Sequence, residues 1–142
     1  MIVKQLTVSL DDRVGALNDV TAILGNAKIN MTAFSLADND GRSGILRVIV
    51  SEPERALEAL RQNKFLVSLT DVICLHTPNT PGALHAVLNM LAKENIQIQY
   101  MYAFAENNGA NVIIRPDKLN AAEEALQKNK VELIAANELY RF

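Results

Sequence analysis

The chain has 142 residues, with 14 lysines and arginines against 16 aspartates and glutamates, and about half of it is apolar. A net charge of -2 with no basic run argues against a chain built to hold nucleic acid or an anionic membrane surface. A single cysteine, Cys74, excludes an internal disulfide and fits a reducing compartment.

The opening residues, Met1 to Leu6, alternate like a strand and lack the apolar block and cleavage site of a signal peptide. No apolar stretch approaches the ~20 residues of a membrane span, so a soluble, cytoplasmic protein is expected. Val3, Gln5, Leu6, Val8 and Leu10 form a β-rich run that stops at Asp11-Asp12. A helix follows. Its apolar stripe is Ala16, Leu17, Val20, Ile23, Leu24 and Ala27, and Gly25-Asn26 is its stop signal. Residues 29–37 and 43–51 are strand-like, joined by the hairpin signal Asp38-Asn39-Asp40-Gly41. Pro53 opens a second helix with the stripe Ala56, Leu57 and Leu60.

The chain then repeats itself. Asp12-Arg13-Val14-Gly15-Ala16-Leu17 and Asn79-Thr80-Pro81-Gly82-Ala83-Leu84 lie 67 positions apart, and Val20, Ile23 and Leu24 recur as Val87, Met90 and Leu91. Farther along the offset is 66: Leu60, Asn63 and Lys64 answer Leu126, Asn129 and Lys130. The second copy predicts a helix at 82–94, a strand at 96–105, a hairpin at Glu106-Asn107-Asn108-Gly109, a strand at 110–115, a helix at 117–129 and a final strand near 133–141. The fold class is α+β: two tandem ferredoxin-like βαββαβ units, residues 1–70 and 71–142, with antiparallel sheets packed side by side into a continuous sheet. Between Phe65 and His76 no glycine or proline turns the chain. A nearly continuous strand is expected there.

Each copy places a glycine at a strand-to-helix turn. Glycine permits positive φ and close approach of a ligand, and the helix start offers amide donors and a partial positive field suited to a carboxylate. In the second copy Asn79 or Thr80 is expected to cap the helix with Pro81 in its first turn; in the first, Asp11 or Asp12 is the cap. The strand after the helix is expected to begin beside the same turn, bringing Asn30 to Asp12 and Gln97 to Asn79. Amide donors for a carboxylate and side-chain oxygens for an ammonium group suit a free α-amino acid, although polar residues at such turns also serve plain capping.

Other residues read more plainly. Cys74 and His76 share a strand face and His85 follows in the next helix, but Cys74 sits in Val-Ile-Cys-Leu, the setting of a buried thiol. Neither a metal site nor a cysteine–histidine catalytic pair is expected, nor is any cofactor. Tyr100, Tyr102 and Phe104 alternate on one strand face; without basic neighbours they read as packing rather than as an RNA platform. Lys28, Lys64, Lys93, Lys128 and Lys130 fall near helix ends, where cations complement the dipole.

The two turn motifs, Asp-Arg-x-Gly-x-Leu and Asn-x-Pro-Gly-x-Leu, set in small βαββαβ units, resemble ACT domains. The resemblance spans essentially the whole chain and implies an allosteric, non-catalytic module that binds an amino acid between paired domains and regulates a metabolic enzyme. It implies ligand contact by Asp12 and Asn30 in the first copy and by Asn79 and Gln97 in the second. The main chain of Val14 to Leu17 and of Pro81 to Leu84 belongs to the same implied site, as do Arg13 and Thr80 within the motifs. Met31, Ala33 and Phe34, or Ile98, Tyr100 and Met101, would line a side-chain pocket. The chain departs from the family pattern at Val14, in place of proline, and at Gln97, in place of asparagine, so one of the two sites is open to degeneration. A homodimer is expected, because small units leave sheet edges to cover. Two rivals stand beside this reading: an adaptor subunit without ligand, and a small ferredoxin-like enzyme.

Overall fold

The structure, a computed structural model, describes residues 1–39 and 43–141. Its elements run β1 (Val3–Leu10), α1 (Ala16–Asn26), β2 (Met31–Asn39), β3 (Ser43–Val50), α2 (Pro53–Gln62), β4 (Leu66–Pro78), α3 (Ala83–Lys93), β5 (Ile98–Glu106), β6 (Gly109–Pro116), α4 (Leu119–Lys128) and α5 (Ala136–Leu139). The chain divides into two compact units, Lys4–Thr70 with Leu139–Phe142, and Met1–Val3 with Asp71–Glu138.

In the first unit the strand order is β2-β3-β1-β4. β3 pairs antiparallel with both β1 and β2, matching Leu10 and Asp38 to Gly44, and Met31 to Val50. Strand alternation sends Leu6, Val8, Leu46 and Val48 to one face, where Val20 and Leu24 of α1 and Leu60 of α2 complete the core. In the second unit the order is β4-β6-β5, all antiparallel. Ile73, Leu75, Val112 and Ile114 meet Val87, Leu91 and Leu126 in an equivalent core. This is the βαββαβ pattern twice, with β4 serving both copies and the closing strand of the second reduced to one bridge.

β4 runs unbroken for 13 residues. Thr70 meets Thr7 through their hydroxyls at 2.7 Å in the first unit, and Ile73–Pro78 pair with β6 in the second. The expected continuous strand is present. The expected last strand is not. Leu133 makes one bridge to Leu75, held by His76 N–H to the Glu132 carbonyl and Ile134 N–H to the Cys74 carbonyl, each at 2.9 Å. The chain then coils into α5, where Ala135 and Ala136 favour a helical turn and Leu139 is fully buried.

The change of offset from 67 to 66 lies in the hairpins. Asn39 at the end of β2 pairs with Ser43, whereas Glu106 at the end of β5 pairs with Gly109, one position closer in sequence. Asp40 and Gly41 of the first predicted hairpin lie outside the described residues. Helix ends also differ in mechanism from expectation. Lys28, Lys64, Asn95 and Lys130 take positive φ of 57° to 66° just past helices, so three lysines serve as left-handed terminators as well as cations. The repeated Asn-Lys pair has a matching role. Asn63 and Asn129 are C-caps whose side-chain amides donate to the carbonyls of Ala59 and Ala125, at 2.8 and 2.7 Å.

Candidate functional site at the glycine turns

Leu10 ends β1, and the chain must reverse within five residues to start α1. Gly15 makes this possible by taking φ 95° as the N-cap; Gly82 does the same before α3 with φ 84°. Neither helix has a side-chain cap. The expected caps at Asp11, Asp12, Asn79 and Thr80 are therefore corrected, because the left-handed glycine already occupies the cap position. Pro81 precedes the cap and does not enter the first turn. Ala16 N–H donates to the Arg13 carbonyl at 3.4 Å and Ala83 N–H to the Thr80 carbonyl at 3.2 Å, so an acceptor from outside would meet the amides that follow them, which no side chain caps.

Asp12, Arg13, Val14, Gly15, Ala16 and Leu17 all line one cavity of about 510 Å³. Its other wall comes from Leu36, Ala37 and Asp38 at the end of β2, and Ser43 and Gly44 at the start of β3. The β1–β3 and β2–β3 pairings bring these together, since Gly44 is the partner of both Leu10 and Asp38. Arg13 is held by Asp19, Nη2 to Oδ2 at 2.9 Å, and lies 3.7 Å from Asp11.

Asn30 and Met31 are not at this cavity. α1 carries the chain about 16 Å back along the sheet before β2 begins, so the strand starts at the opposite end from the turn. Met31 pairs with Val50 there, and Asn30 N–H donates to the Ser51 hydroxyl at 3.0 Å. The expectation that Asn30 meets Asp12 within one unit is overturned. The second copy shows the same geometry. Asn79 N–H donates to the Asn108 carbonyl of the β5–β6 hairpin at 2.9 Å, while Gln97 N–H donates to Asp117 at the far end. Gln97 lines a polar cleft of about 460 Å³ with Asn95, Asp117 and Lys118, and Ile98 pairs with Pro116. Thr80, Pro81, Gly82 and Leu84 stay in the turn and first turn of α3, and Ala83 lines a separate cavity of about 440 Å³ beside Val87 and Met90.

Asp38 was missed by sequence reading, which placed it in the hairpin. The strand register was the available signal: a residue at the far end of β2 must fall beside the end of β1. The two copies also part here, because Leu36 and Asp38 correspond at the 67-residue offset to Ala103 and Ala105.

A second polar group sits on the other face of β6. Asn111 is fully buried; its amide donates to Glu106 Oε2 at 2.5 Å, which leaves its Oδ1 to accept from His76 Nδ1 at 2.9 Å. That arrangement places the imidazole proton on Nδ1. Cys74, two residues before His76, is fully buried. Burial, then the nearby Glu106 carboxylate, push its thiol up to about 12 from 9.0. Folding favours the neutral thiol, so this stabilisation is complete below pH 9 and lost as pH rises toward 12. Native protein at pH 8 is expected to react with a disulfide reagent far more slowly than denatured protein; equal rates would refute the buried assignment. Among the described residues no three His, Cys, Asp or Glu side chains are grouped to hold a metal, and no helix is long and apolar enough to cross a membrane.

A family model described as an ACT domain pair matches residues 1–142. The chain belongs to the ACT domain pair family. Its glycine turns are thus turns of ACT modules, and the resemblance carried by the two motifs holds across the whole chain. A crystal structure of a protein from Bacteroides thetaiotaomicron is similar at 46% identity, with a TM-score of 0.96, covering 100% of this chain and 98% of that one. The ligand-free regulatory subunit of aspartate kinase from Thermus thermophilus shares the fold at 16% identity and a TM-score of 0.63, over 90% of this chain and 96% of the other. The corresponding subunit from Thermus flavus gives 16% and 0.59, over 90% and 94%. A search of curated proteins found no match.

Proposed function

We propose that this chain is a non-catalytic, cytoplasmic regulatory protein that senses a free amino acid at the first glycine turn. The observation that carries the reading is the cavity itself: the whole Asp12 to Leu17 motif faces it, opposite the end of β2. The ligand carboxylate sits at the uncapped start of α1, and its ammonium group sits against Asp12 and Asp38. Such a ligand joins the turn to the neighbouring hairpin and shifts the affinity for a regulated enzyme by its preference for one state. Membership of a family of ACT domain pairs supports the regulatory role. The second turn, with Asn79 in place of Asp12 and Ala105 in place of Asp38, is the weaker of the two.

Thermal-shift screening across the amino acids at millimolar concentration tests this. A ligand at about 100 times its Kd adds about 2.7 kcal/mol and is expected to raise the midpoint by roughly 5–10 °C. Asp12→Ala should remove that rise without lowering the ligand-free midpoint, because Asp12 is exposed. No shift with any amino acid would sink the proposal.

The adaptor reading draws on one observation, the engagement of Arg13 by Asp19 and Asp11. Recovery of a stable enzyme partner that is indifferent to every amino acid would favour it. A homodimer remains part of the proposal: β2 is the outer strand of its unit and exposes Phe34 and Leu36, and sedimentation as a monomer at all concentrations would exclude it.

A further inference from the structure

The described chain leaves seven large apolar side chains substantially exposed, and three of them, Val14, Leu17 and Leu36, line the same cavity. Val14 is fully exposed, and Leu36 is 52% exposed although it lies on a strand whose neighbours feed the core. Scattered exposed leucines need no explanation; three converging on one cavity are a surface that gains by being covered. Under the amino-acid-sensing reading the polar groups of the cavity serve the backbone-like parts of the ligand, the Asp12 carboxylate its amine and the α1 start its carboxylate. Its guanidinium, on Arg13, is held by Asp19 and Asp11 and so is not set aside for an acidic side chain. A charged side chain placed against Val14, Leu17 and Leu36 would be desolvated without a partner.

We infer that the cavity selects a free amino acid with an aliphatic or aromatic side chain, seated on Val14, Leu17 and Leu36. This rests on the amino-acid-sensing reading above and names its ligand class. The same offset that relates the two copies puts Ala103 where Leu36 stands, so the second turn lacks the floor on which such a side chain would rest.

Titration calorimetry of the full chain with leucine, phenylalanine, alanine, serine, aspartate and lysine tests it. Leucine or phenylalanine is expected to bind roughly tenfold or more tightly than alanine, serine, aspartate or lysine. Leu36→Ala should weaken that binding about tenfold, with an unchanged circular dichroism spectrum. Leu66→Ala, which trims another exposed leucine away from the cavity, should leave binding as it was. Tightest binding of serine, aspartate or lysine would overturn the selectivity while leaving amino-acid sensing intact, as would apolar binding that ignores Leu36→Ala. Binding of none of the six, with thermal shift by none of the remaining amino acids, would overturn both.

Discussion

Gly109→Ala is expected to destabilise the protein by about 3 kcal/mol or more, a loss read as a lower urea midpoint. A Cβ at this position would lie 2.5 Å from the Thr77 carbonyl oxygen and 2.6 Å from the His76 ring. Neither neighbour can yield cheaply. Thr77 is fixed in the β4–β6 ladder, where Pro78 is the partner of Gly109, and His76 is fixed by Asn111. Gly109 carries no positive φ, so the requirement is steric and not conformational. Serine or alanine tolerated there without a change in midpoint would refute this packing.

Leu126→Ala is expected to cost about 2–5 kcal/mol. Leu126 is fully buried in the last turn of α4, among Ile73, Leu75, Val87 and Leu91. Its carbonyl also accepts the Val131 N–H at 3.0 Å where the chain leaves the helix. Truncation therefore opens a cavity beside a helix terminator, and little nearby can collapse into it. Leu60 occupies the same place in the first unit, fully buried, with the Phe65 N–H on its carbonyl at 3.0 Å. Leu60→Ala should cost a similar amount. A denaturation curve for either variant superposable on the parent would contradict the assignment of these residues to the two cores.

Period and punctuation made most of the fold legible. The stripes of α1 and α3 were visible because their apolar residues recur at three and four steps, and β4 because nothing between Phe65 and His76 turns the chain. The last strand was misread because alternation after Val131 satisfies a single bridge equally well, and the Ala135-Ala136 pair then favours coiling. The candidate site was half legible. The motif residues lie on one short segment, so a local pattern finds them. Asn30 was misplaced and Asp38 missed for one reason. Their distances from the turn depend on strand direction and pairing, which local patterns do not encode. The glycine caps were likewise hidden behind nearby Asp, Asn and Thr residues that suit the same role.

The undivided β4 has a practical corollary for dissecting this protein. A strand in such sheets is ordinarily about 5–6 residues long, and here 13 residues contain the equivalent of two with no loop between them. Any cut at the middle of the chain severs backbone that is already hydrogen-bonded on both sides of the break. One copy therefore cannot be cut out at mid-chain with a complete complement of strands, because the cut divides β4 itself.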